Sequence, residues 1–309
     1  MTVRLYQSTD AGAPPPSSGV NSAGSIIAIL DACLVNGYGG KVAAGWSKPF
    51  SGTNVAAYMQ GGGANRLLRI DDTTTASYRP CDVRMFGTMT SIDSGMETTP
   101  VTSTASLWSM LYTTVANLEW VLIADSIAFY LSIKSVSSGF RCVYFFGDLN
   151  AINRTEDTCT VICTSTSATS PVWTGSSYGT CIDVSTSMSA ANTGFYAIRP
   201  YSGSVGYVQV GKHTDSAKNN NATFIGGGSL SYPNTPDAGT YFSPVWVHET
   251  LPQIVRATMP GLWSPLHAKA NFVDGSIIEA TGDLAGKTLI MLSCGSGMLA
   301  IETSDTWRI

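Results

Sequence analysis

Charge is what this sequence has least of. Across 309 residues only 12% are Asp, Glu, Lys or Arg, against about a quarter in an ordinary soluble domain. Low charge combined with 44% hydrophobic residues excludes an intrinsically disordered chain, which needs the reverse balance to stay unfolded. The 17 basic residues are scattered and outnumbered by 21 acidic ones. The clustered Lys and Arg that release counterions from nucleic acid are therefore missing, and no DNA or RNA partner is expected. Long apolar runs are missing too. The longest, Ser25–Leu30, Trp120–Ala124 and Ile127–Leu131, fall far short of the roughly 20 residues that cross a bilayer as a helix, so no membrane partner is expected. No apolar stretch follows Arg4, so a secretory signal is not expected either and synthesis should end in the cytoplasm.

Histidine is scarce, at three, and the seven cysteines are an odd number spread over a long chain, unlike the dense framework of a small secreted domain. Cys159 and Cys163 would lie about 13 Å apart on one face of an extended strand, too far to bridge or share a zinc ion. Buried free thiols are the expectation.

What fills the polar quota is hydroxyl and glycine: 37 Ser, 34 Thr and 31 Gly, with 14 Pro. Residues 1–18, with Pro14, Pro15 and Pro16 in a row, read as an extended arm. A helix is predicted over 22–35, capped by Asn21 or Ser22 and stopped at Asn36–Gly37. The period then falls to two. Short strands are predicted at 42–46, 55–59, 66–70 and 79–86, a hairpin around Asp125–Ser126, and further strands at 140–146 and 158–164. Residues 165–240 read as a loop-rich insertion, and strands return in FSPVWVHE, QIVRATMPGLW, KTLIMLSC and GMLAIETS. The fold class expected is mainly β, a sandwich or barrel-like antiparallel sheets with one N-terminal helix, and α+β as second choice. The divisions expected are the arm, a helix-plus-strand part over 19–100, and a β-rich domain over 101–309.

Catalytic patterns fail on their context. Gly175-Ser-Ser-Tyr-Gly179 has the spacing of a nucleophile elbow, but Ser/Thr-rich flanks replace the strand and helix that elbow needs. Gly37–Lys41 lacks the first glycine of a phosphate loop and has Val42 where a Ser or Thr should bind magnesium. His213, His248 and His267 stand without metal-ligand spacing. Asp71, Asp72, Asp125, Asp148, Glu156 and Asp157 all fall at predicted turns, where carboxylates serve their own backbone. No catalytic residue, metal or cofactor is expected. Trp173, Tyr178, Tyr196, Tyr201 and Tyr207 could stack on sugars, anchor an interface or cover their own loops.

Val3-Arg-Leu-Tyr-Gln-Ser-Thr-Asp10-Ala-Gly-Ala-Pro14, Leu34-Val-Asn-Gly-Tyr-Gly39, Gly45-Trp-Ser-Lys-Pro-Phe50 and Ala57-Tyr58 resemble virion structural proteins of tailed bacteriophages. So do Val255-Arg-Ala-Thr-Met-Pro-Gly-Leu-Trp-Ser-Pro-Leu-His267, Leu284-Ala-Gly-Lys-Thr288 and Ile301-Glu-Thr-Ser304. The resemblance covers both ends and the central hairpin. It implies a non-enzymatic virion component, made in the host bacterial cytoplasm, whose partners are identical subunits and other tail, baseplate or neck proteins. A capsid decoration protein, or a tail module that binds a host surface glycan or receptor, are the alternatives. The expected interface residues are Pro14, Pro15, Pro16, Trp173, Tyr178 and Trp263, with the arm lying across a neighbouring subunit.

Overall fold

The computed structural model describes residues 1–15, 23–73, 80–100, 107–109, 118–136, 139, 141–152, 159–164, 194–198, 210–213, 240–250, 253–265, 267, 269–294 and 297–307. These residues are mainly β, in antiparallel sheets that do not close into a barrel, with one short helix near the N-terminus.

A first sheet has the order β1 (Arg4–Gln7), β9 (Leu118–Ala124), β10 (Ala128–Ser135), β11 (Arg141–Asp148), β13 (Thr160–Thr164) and β14 (Gly194–Ile198). The predicted hairpin is its centre. Asp125 Oδ1 accepts the Ile127 and Ala128 N–H groups at 2.7 Å each, which closes the turn locally. A second sheet runs β2 (Ser47–Gly52), β3 (Val55–Met59), β4 (Leu67–Asp71), β5 (Pro80–Phe86) and β8 (Leu107–Ser109). The third runs β15 (Val210–His213), β16 (Phe242–Thr250), β17 (Gln253–Pro265), β20 (Gly297–Glu302), β19 (Thr288–Cys294) and β18 (Ile277–Glu279), with β12 (Asn150–Ala151) pairing β17. A separate hairpin joins β6 (Thr88–Ser91) to β7 (Ser94–Met96).

The first sheet is the middle layer. Every residue of β11 is buried, and because side chains alternate both faces must be covered. On one face Tyr144 stacks on Trp108 at 5.2 Å, and Phe129 and Phe146 meet Trp46, so the second sheet and the residues leading into it cover that side. On the other, Tyr130 packs edge-on to Trp307 at 5.4 Å and donates its hydroxyl to Pro260 O, which places the third sheet there. One buried cluster draws on all three sheets. Truncating an aromatic from such a centre costs about 3–5 kcal/mol. The division expected near residue 100 does not follow a sheet boundary, since β8 completes the second sheet from beyond it.

Three expectations need correction. The helix is shorter: α1 covers Ser25–Leu30 and continues as a π-helical turn over Asp31–Asn36, ending at Gly37. Its cap comes from a residue 46 positions away, Asp72, whose Oδ2 accepts the Ile26 N–H at 2.8 Å. Residues 42–46 form no strand, because the Ala44, Gly45 and Trp46 N–H groups donate to Cys33 O and Leu34 O at the helix end and so cannot enter a ladder. The strand starts at Ser47, one residue past the end of that range. The leading segment, over residues 1–15, is no free arm. Its Arg4–Gln7 pairs with Val121–Ala124 of its own chain as β1, and Val3 and Tyr6 are buried in the core.

Candidate functional site

Of the residues expected at an interface, Pro14 is half-buried and its carbonyl accepts the Trp120 indole N–H at 3.4 Å, while Pro15 is exposed. Trp263, in β17, is half-buried against a second, smaller cluster of Leu289, Met291, Met298 and Ala300. Pro14 thus lies in the segment after β1, against Trp120 of the first sheet, whereas Trp263 belongs to the third sheet. Pro16, Trp173 and Tyr178 lie outside the described residues, as do Gly175–Gly179 and the aromatics Tyr201 and Tyr207. Tyr196 is buried in β14 and belongs to the core.

The groups with catalytic potential are occupied by architecture. Gly37–Lys41 is a tight turn in which Tyr38 and Lys41 exchange backbone hydrogen bonds across Gly39 and Gly40, both at positive φ. Asp72 caps α1 and also accepts the Cys81 thiol at 3.3 Å. Asp148 joins two sheets, accepting from Gln60 Nε2 at 3.0 Å, Ala64 N at 2.8 Å and the Thr160 hydroxyl. His267 is buried, and its Nε2 accepts the Tyr241 N–H at 2.9 Å. His213 and His248 stand on the adjacent strands β15 and β16. Cys33, Cys81, Cys142, Cys159 and Cys163 are all buried. Among the described residues, no group of three His, Cys, Asp or Glu is arranged to hold a metal ion.

The scarce charges are likewise turned inward on the chain. Lys48 pairs with Asp31 at 2.6 Å, Arg66 with Glu97 at 2.8 Å, and Lys287 with the buried Glu302 at 2.8 Å. On β4 and β5 the register sets Arg69 opposite Arg84 and Asp71 opposite Asp82. Like charges opposite one another repel, and the strain is relieved because Arg69 reaches Asp71, Asp82 and also Asp93 of the β6–β7 hairpin. Arg84 takes the remaining oxygen of Asp82, donating Nη2 to Oδ2 at 3.1 Å. Two ion pairs, Arg66–Glu97 and Arg69–Asp93, therefore hold that hairpin to the second sheet.

Asp274 is the corresponding node between the first and third sheets. It pairs with Lys134 at 2.8 Å and Arg141 at 3.0 Å, and Oδ1 accepts the Ser293 N–H at 2.8 Å. Burial acts to raise its carboxyl, but Arg141, Lys134 and the Ser293 N–H outweigh burial and hold it lowered, at about 2. Burial, followed by the nearby Asp31 charge, pushes the Tyr58 hydroxyl up, so it stays a proton donor to Asp31 at 2.8 Å.

What remains at the surface is hydroxyl-rich and studded with apolar groups. Met96 on the β6–β7 hairpin and Val273 before β18 are each 72% exposed, and Val42, Ile277, Val136, Ile152 and Val255 are also open. Sequence reasoning missed these because it looked for aromatics in loops. The usable signals were the Asp93-Ser-Gly95 turn beside Met96 and the short β-branched pair Ile277-Ile278 between Ser276 and Glu279. The ion network was legible in principle as charges two residues apart on consecutive strands, Arg69 with Asp71 and Asp82 with Arg84. No protein-family model matches the chain, and no curated protein matches it.

Proposed function

We propose that this chain is a non-enzymatic structural component of a tailed-bacteriophage virion. In this reading it assembles with identical subunits and docks to tail, baseplate or neck proteins. The observation that carries it is the use made of charge. Lys41, Lys48, Arg66, Arg69, Arg84, Lys134, Arg141 and Lys287 all pair with carboxylates of their own chain. Among the described residues few ions are left to keep copies apart, and their exposed surface is depleted in charge as the cores of permanent interfaces are. Hydroxyls and isolated apolar side chains then supply contacts that are weak singly and strong in many copies. The resemblance of both chain ends to virion proteins points the same way.

Labelling purified particles with an antibody to this chain tests the reading. Regular labelling at the tail, baseplate or neck is expected, and absence from particles would overturn it. Label spread over the shell would replace it with capsid decoration.

A further inference from the structure

A sheet edge carries unpaired main-chain groups, and natural proteins blunt such edges to avoid pairing with other chains. The first sheet's edge, β1, is blunted along its length. Val3 N donates to Asp305 O at 3.1 Å, Lys41 Nζ donates to Leu5 O at 3.1 Å, and Gln7 N donates to Asp10 Oδ2 at 2.8 Å. The second sheet's edge, β2, contains Pro49, which has no N–H, and its register shifts between Ser47 and Phe50.

The third sheet ends differently. Among the described residues its terminal strand β18 pairs only with β19, in the register Ile277↔Ile290, Ile278↔Leu289 and Glu279↔Thr288. The ladder continues on either side, with Met291 N donating to Ser276 O and Ala280 N to Lys287 O. Hydrogen-bonded positions alternate along an antiparallel pair, so 276, 278 and 280 face β19 while the N–H and C=O groups of Ile277 and Glu279 face the open edge. The side chains agree with an open edge: Ile277 is 54% exposed and Glu279 is exposed. This strand contains no Pro, Lys or Arg.

We propose that β18 is a docking edge for β18 of a second copy of this chain, paired antiparallel about a two-fold axis at Ile278. The register decides for a second copy. Ile277 N–H meets Glu279 C=O of the other copy, and Glu279 N–H meets its Ile277 C=O, so every outward group finds its complement by symmetry. Each Glu279 then stands opposite Ile277, and no carboxylate faces another. Glu279 is also drawn back onto its own sheet by the Thr288 hydroxyl at 2.9 Å. The exposed Val273 lies on the same segment and widens the apolar contact. A strand this short gives modest affinity alone, which suits a subunit present in many copies. The inference rests on the homo-oligomer reading and assigns it a surface.

The test is sedimentation of the full chain over a range of concentrations, wild type against Ile277→Pro. Proline at 277 deletes an outward N–H and leaves the β18–β19 ladder intact. The expected result is concentration-dependent dimerisation of wild type, weakened about tenfold or more in the variant with circular dichroism unchanged. Should the proline variant misfold, Ile277→Lys places a charge on the same exposed site and should weaken the dimer equally. A wild type that associates as strongly as both variants overturns β18 as the surface while leaving the homo-oligomer reading standing. A wild type monomeric at every concentration overturns the second copy as occupant, and particle labelling then judges the virion reading by itself.

Discussion

The first and third sheets of this protein end in opposite ways, and the difference shows where its few charges are placed. At β1, side chains from residues 10 and 41 reach the edge, so the outward Gln7 N–H and Leu5 C=O are bound within the chain. At β18 the carboxylates turn back: Glu279 accepts from Thr288 of its own sheet, and Asp274, just before the strand, is directed toward Lys134 and Arg141 of the first sheet. It fixes where the strand sits but does nothing to cover its edge. A chain with so little charge cannot guard every edge, and here the N-terminal one is guarded while the C-terminal one is left open.

The largest expected effect comes from breaking the closed side. The turn that delivers Tyr38 and Lys41 to β1 rests against the N-terminal segment at Gly39, where φ is +50 and a Cβ would overlap the Ala11 carbonyl oxygen. Gly39→Ala combines backbone strain with a clash against main chain, and neither can be relieved by rotating a side chain. Urea unfolding should show a loss of about 3 kcal/mol or more. A loss under about 0.5 kcal/mol, the level of an ordinary surface substitution, would mean that the turn is not what holds the edge shut.

Next in size is the anchor of the open side. Asp274→Asn leaves the buried Arg141 with a weaker partner and should cost about 2 kcal/mol at neutral pH. The pH dependence has a definite sign. Asp274 is held down at about 2, so its contribution is complete above the unfolded carboxyl value near 3.9 and is lost as pH falls through about 2. The stability difference between wild type and Asp274→Asn should therefore shrink across that acid window and be flat above it. A difference that is constant from pH 2 to 7 would remove Asp274 from this role.

How far the sequence foretold this comparison depends on how local each feature is. The β9–β10 hairpin was legible because its turn is closed by Asp125 on residues two and three positions away. Strand β3, at Val55–Met59, was legible because a short apolar run lies between turn signals. The helix start was not, because its cap is Asp72, brought back by the second sheet. The strand expected at 42–46 failed because its N–H groups belong to the helix end, a long-range competition that period two cannot reveal. Edge status is equally non-local: Ile277 and Leu5 are both apolar residues in short strands, and only topology tells that a lysine covers one and nothing described covers the other. Of the expected interface, Pro14 is half-buried in the segment after β1 and Trp263 is half-buried in the third sheet.

The smallest effect on stability is the most informative for the comparison. Lys41 is 41% exposed in its side chain and pairs with Asp10 at a long 3.4 Å, so Lys41→Met should change stability by only about 0.5–1 kcal/mol. Its consequence for association should be larger than that. Met keeps the stem that covers the strand but removes the ammonium that occupies Leu5 O, leaving that acceptor at an apolar edge. Light scattering should then show self-association of Lys41→Met that persists when β18 is blocked by Ile277→Pro, because the newly opened edge lies on a different sheet. If the double variant stays as monodisperse as Ile277→Pro alone, the lysine is not what guards β1. The closed state of that edge would then rest on Asp10 and Asp305, whose bonds to Gln7 N and Val3 N survive the substitution.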